Sequence, residues 1–252
     1  MEEDTQGFSW YLATWWGLVS SVGVAITFMT MPFPLIKNEF AGLTPAGNLA
    51  FVVLAYGGLL VGMISGALTG FGQWLILRAH WSEFKRDFWW IPVTFLGLTI
   101  ASVLGATTAL FFTFAVDFPP REAFDTGDGG SPMLIDLIAR GALLGAVVGV
   151  VLGIFQWVVM RNQARNTYLW LLGCIIGWTA AGATYHAIYI IAGGPTANPI
   201  RDFGMNWQTY YSAKENATTA GWLSSSLLAW VILAMSVRFL KFRLNKVPSQ
   251  TL

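Results

Sequence analysis

Apolar residues run along this chain in long stretches that charged residues barely interrupt. Six stretches stand out, at approximately 9–32, 49–77, 89–116, 135–160, 168–192 and 219–240. Each matches the roughly 20 apolar residues with which a helix crosses the hydrocarbon core of a bilayer, where it satisfies its own backbone hydrogen bonds. The pattern predicts an all-α integral membrane protein with six transmembrane helices, a single domain over residues 1–252. The second stretch is long enough to tilt or to emerge partly from the bilayer.

The stretches keep time with one another. Trp10, Trp90 and Trp170 are spaced 80 residues apart, and so are Gly17, Gly97 and Gly177. A second beat runs through the intervening spans. Residues 58–78 read GLLVGMISGALTGFGQWLILR and residues 141–161 read GALLGAVVGVVLGIFQWVVMR, so that four glycines, a Gln-Trp pair and an Arg coincide at an offset of 83. Self-similarity of this kind predicts an internal repeat, here a pair of helices about 80 residues long. The expected units are about 49–116 and 135–192. They run the same way, as parallel repeats about an axis along the membrane normal. Spans 9–32 and 219–240 are read as a degenerate third unit, in which Arg238 answers Arg78 and Arg161 but the glycines and Gln-Trp are missing.

The glycines sit four apart, at Gly58, Gly62, Gly66 and Gly70 and again at Gly141, Gly145, Gly149 and Gly153. Each step of four advances about 40° around a helix, so the set covers an arc of about 120°. Such an arc lets a neighbouring helix come close. Spans two and four are therefore expected to form the tight centre of the bundle. Gln73 and Gln156 fall within this arc and are expected to point into the packed seam. Arg78 and Arg161 fall on another face as interfacial anchors, with Trp74 and Trp157 in an aromatic belt at that depth. This G-x-x-x-G-x-x-x-G-x-x-Q-W-x-x-x-R pattern resembles the helices of bacterial multi-pass membrane proteins common in cyanobacteria and Chloroflexi. The likeness covers spans two to five and implies a phototroph source without implying an activity.

Composition agrees with a membrane location. Charged residues make up 11% of the chain, against about 25% in soluble domains. With six spans, Arg78, Lys85, Arg86, Arg161, Arg165, Arg238, Lys241, Arg243 and Lys246 share one side with both termini. Lys37, Arg121, Arg140, Arg201 and Lys214 lie on the other, which also carries Glu39, Asp117, Glu122, Asp125 and Asp128. The positive-inside rule then puts both termini in the cytoplasm, in a bacterial inner membrane. Residues 1–6 are acidic, the wrong sign for a signal peptide, so the first span is expected to be retained. Cys174 is the only cysteine, which excludes an internal disulfide.

Candidate chemistry is sparse. Gln73 and Gln156 either bind a solute, a lipid headgroup or the magnesium of a chlorophyll, or join helices by hydrogen bonds worth about 0.6–2 kcal/mol. His186, flanked by Tyr185 and Tyr189, is the only histidine inside a span and a candidate ligand for haem or a chlorophyll-type pigment. The other histidine, His80, lies in a loop, which argues against a bis-His haem. Residues 118–132 (FPPREAFDTGDGGSP) are oxygen-rich but lack an EF-hand pattern, and read as a polar loop. In the outer segment 198–218, Phe203, Trp207, Tyr210 and Tyr211 either lie among headgroups or anchor a protein partner. No ionisable residue sits at the middle of a span, and no motif of nucleophilic, metal or nucleotide chemistry appears.

The leading expectation is a non-catalytic accessory or scaffold subunit of a larger membrane complex, photosynthetic or respiratory. Its partners would be membrane lipid and other membrane-protein subunits, with no nucleic acid, no metal and no cofactor that the sequence requires. The alternative is a carrier of a small solute or lipophilic molecule, built around Gln73 and Gln156. A third reading is a pigment-binding protein that uses His186.

Overall fold

The computed structural model describes residues 5–7, 9–29, 46–80, 88–115, 131–162, 164–192 and 207–243. Among the described residues six helices carry the fold: α1 (Trp10–Met29), α2 (Ala46–His80), α3 (Trp90–Ala115), α4 (Ser131–Met160), α5 (Thr167–Ile191) and α6 (Trp207–Arg238). Pro92 and Pro132 sit in the first turns of α3 and α4, where a missing N–H breaks no intrahelical bond. Among the described residues, four stretches are long and apolar enough to cross a membrane: Gly58–Ala79, Ile138–Met160, Thr167–Ile191 and Ser212–Arg238.

Each helix packs on the next in sequence, and α6 packs on α1 to close a ring. Neighbours run antiparallel throughout, so the C-terminal ends of α2, α4 and α6 share one end of the ring with the N-terminal ends of α1, α3 and α5. Three short strands meet at that end: β1 (Thr5–Gly7), β2 (Ala164–Arg165) and β3 (Lys241–Arg243). β3 lies between the other two and pairs antiparallel with both, with Phe242 opposite Gln6 on one side and Ala164 on the other. Asn166 takes a left-handed conformation (φ 61°), which asparagine tolerates better than most side chains, and so turns the chain from β2 directly into α5.

One feature left no trace in the sequence, and one boundary differs from the expectation. The sequence pattern contains no sign of this sheet, because strands of two or three residues are too short to leave a periodic signal. The last helix begins at Trp207 rather than near residue 219. Its first turns carry exposed Gln208, Thr209, Ser212, Glu215 and Asn216. A hydropathy-based boundary marks where a helix becomes apolar, which here is not where it begins.

The interior holds Trp16, Trp90, Trp170, Trp178, Leu77, Leu98, Met160 and Leu233, all almost wholly buried. The outside is apolar as well. Leu60, Ile64, Leu68, Phe71 and Leu75 form an exposed stripe along α2, as do Leu223, Leu227, Val231 and Met235 along α6. Helices that are hydrophobic all round require protein or lipid on every side.

Candidate functional site

The polar centre of the ring is built around Gln73 on α2 and Gln156 on α4, both essentially inaccessible to solvent. Gln156 Nε2 donates to Gln73 Oε1 at 3.0 Å, which joins the two amides directly. The same nitrogen donates to Thr94 Oγ1 on α3, also at 3.0 Å. Gln73 Nε2 donates to Ser20 Oγ on α1 at 2.7 Å, and that hydroxyl donates to the Trp16 carbonyl at 2.8 Å. Each amide oxygen accepts an indole N–H: Trp90 Nε1 on Gln73 Oε1 at 3.1 Å, and Trp170 Nε1 on Gln156 Oε1 at 3.0 Å. Trp16 stands between these two indoles, with ring centroids 5.5 Å from Trp90 and 5.7 Å from Trp170.

This network uses most of what two amides can offer. Both N–H groups of Gln156 and both lone pairs of Gln73 Oε1 have partners. In a low-dielectric interior such mutual satisfaction is what makes buried amides tolerable, since an unpaired one costs about 1–3 kcal/mol. As an arrangement the centre is a junction of α1, α2, α3, α4 and α5, and it presents little unused hydrogen-bonding capacity to a ligand.

The glycines take a different place from the one expected. The α2 stripe packs on α3 and the α4 stripe on α5, rather than α2 on α4. A Cβ added at Gly62 would lie 2.6 Å from Thr99 Cα, and one at Gly66 would lie 2.8 Å from Phe95 Cα. Gly70 faces Ile91 and Thr94. In the other pair, Gly145 faces Trp178 and Thr179, Gly149 faces Cys174 and Ile175, and Gly153 faces Leu171 and Cys174. Gly62–Thr99, Gly66–Phe95 and Gly70–Ile91 recur as Gly145–Thr179, Gly149–Ile175 and Gly153–Leu171, advanced by 83 on one helix and by 80 on the other. Gly58 is buried, and Gly141 lies against Gly182 and His186. The amides therefore leave the glycine seams and meet on the axis. The physical reason is that α3 stands between α2 and α4 in the ring, so only long side chains bridge them.

Other singled-out residues lie elsewhere. His186 is buried near the opposite end, with Nδ1 3.0 Å from the Gly182 carbonyl and its ring edge-on to Tyr185 at 5.2 Å. Trp207, Tyr210 and Tyr211 belong to the first turns of α6 rather than to a loop, and Phe203 lies outside the described residues, as does the segment 118–130. Trp74 is buried beneath Phe71 and Phe88 (centroids 5.9 and 5.2 Å) instead of facing outward in a belt. Among the described residues no group of His, Cys, Asp and Glu could hold a metal ion.

Sequence reasoning found the two glutamines but not Ser20, Thr94 or the roles of Trp90 and Trp170. A signal for the indoles was present: the tryptophan beat and the glutamine beat advance almost together, 80 against 83 residues. Comparison of the chain with protein-family models, with curated proteins and with solved structures found no match.

Proposed function

We propose that this chain is a six-span integral protein of the bacterial inner membrane, with both termini cytoplasmic. On this reading it acts without catalysis as an accessory or scaffold subunit of a larger photosynthetic or respiratory assembly. It consists of two parallel repeats, α2–α3 and α4–α5, closed by a degenerate third pair, α6–α1. The glycine stripes are the means by which the first two pairs close, and the recurrence of their contacts at fixed offsets supports the duplication.

The observation that carries the reading is the self-satisfied polar centre. Gln73 and Gln156 spend their hydrogen bonds on each other and on Ser20, Thr94, Trp90 and Trp170. That favours a rigid strut over a carrier, whose site must exchange partners with its cargo. The pigment reading would use His186 through Nε2, since Nδ1 is engaged by the Gly182 carbonyl and the ring is packed against Gly141. The aromatic start of α6 remains the candidate surface for a protein partner.

The test is gentle solubilisation of native membranes through a C-terminal tag, read by native-gel size, mass spectrometry and absorption spectrum. Stoichiometric co-purification with a large assembly is the expected result. A lone, colourless species with solute uptake that Gln73→Ala and Gln156→Ala abolish would replace this reading with the carrier. Visible absorption lost in His186→Ala would replace it with pigment binding.

A further inference from the structure

Three arginines stand at the sheet end of alternate helices: Arg78 on α2, Arg161 just after α4 and Arg238 at the end of α6. Each lays its guanidinium over an indole. The distances to the ring centroids are 4.9 Å for Arg78 over Trp74, 5.6 Å for Arg161 over Trp157 and 5.5 Å for Arg238 over Trp10. Among the described residues, none of the three guanidiniums has a carboxylate or other acceptor as partner, and the carboxylate of Glu215 lies at the opposite end. Two donors here are buried without an acceptor, Trp74 Nε1 and Arg238 Nε.

These groups donate and do not accept. A guanidinium offers five N–H donors and an indole one, so the complementary ligand is an anion. With one face covered by a ring, the edge of each guanidinium is left for two-pronged hydrogen bonding, which suits phosphate. The surroundings add a second requirement. Beside Trp74 stand Phe71 and Phe88, 50% and 63% exposed, and Trp10 is 62% exposed. An apolar flank next to a phosphate seat fits a head joined to hydrocarbon.

We propose that these three Arg–Trp pairs are headgroup seats for anionic phospholipid, with Arg78–Trp74 the most completely built. The proposal rests on the membrane location above and not on the scaffold role. It is tested with the purified full-length chain, by native mass spectrometry after delipidation and re-addition of phosphatidylglycerol or phosphatidylcholine. Selective retention of phosphatidylglycerol is expected, and Arg78→Gln should weaken it about fivefold. Arg78→Lys should weaken it as well, since an ammonium keeps the charge but loses the fork. Burial of Cys174 against a thiol reagent checks that each variant is folded. Equal retention of both lipids would overturn the proposal. So would unchanged selectivity in the variant with all three arginines replaced by Gln, or in Arg78→Lys. Displacement of phosphatidylglycerol by excess inorganic phosphate would reassign the seats to a soluble phosphate.

Discussion

The helix pairs α2–α3 and α4–α5 close in one way and the pair α6–α1 in another. In the first two, glycines on the even-numbered helix admit the backbone of its partner. In the third the notch is on α1. A Cβ at Gly17 would lie 2.6 Å from the Trp230 carbonyl oxygen and 2.7 Å from Trp230 Cδ1. Trp230 fills that notch, and its Nε1 donates to the Thr14 carbonyl at 3.0 Å. The polar centre differs in parallel. Where the first two helix pairs bring an amide and an inward tryptophan, the pair α6–α1 has Leu233 and turns Trp10 outward, and Trp16 takes the central space. Amide and indole are absent together. Either alone would leave a buried polar group unpaired.

The comparison breaks most sharply at the seams. Gly145→Leu should abolish folding, because a Cβ there collides with the Trp178 backbone and relief costs about 3 kcal/mol or more. Gly105→Ala should be silent, since among the described residues its Cβ meets only Val148 Cγ2, at 3.6 Å. Both are read from the temperature at which buried Cys174, the sole cysteine, becomes reactive to a thiol dye.

The tryptophans sharpen the contrast between units. Trp90→Ala should lower stability by about 3–5 kcal/mol, as expected of a large buried ring. Trp10→Ala, one beat earlier in sequence but exposed, should change the same thiol-reactivity curve by about 0.5 kcal/mol or less. Equal effects would mean that the third unit matches the others after all.

A smaller effect is expected at the amides. Gln73→Leu strands the Trp90 N–H and should cost about 1–3 kcal/mol. The double variant with Gln156→Leu should cost less than the sum of the singles, because the two side chains bond to each other. Additivity in a double-mutant cycle would show that they act separately. Smaller than the amide variants, Trp230→Phe keeps most of the ring in the Gly17 notch and loses one hydrogen bond, about 0.5–1.5 kcal/mol of thermal stability in the same assay.

Much of this was legible before the coordinates. Spacing identified the glycine faces and both amides, because a repeated pattern at helical periodicity reports which side of a helix is special. Periodicity does not name the neighbour, which is why the spacing marks α2 and α4 as closely packed without pointing to α3 and α5 as their partners. Ser20 and Thr94 were hidden for another reason. A single hydroxyl in an apolar span looks like any other residue that bonds its own helix, and Ser20 also does so, donating to Trp16. Trp16 stands six residues away from the 80-residue beat, so the repeat drew attention to Trp10 and away from the ring that occupies the centre.

The closure of α6 on α1 also sets an order of events during synthesis. Helix α1 has α6, made much later, as a neighbour, and β3, which joins β1 to β2, follows α6. At about 5–20 residues per second, the roughly two hundred residues between Met29 and Arg238 take about 10–40 s to appear. Throughout that interval the Gly17 notch stands open while α2 to α5 are already able to pair. Nascent α1 therefore needs a temporary neighbour, whether lipid, the insertion machinery or another chain. The ring closes only once α6 has been made.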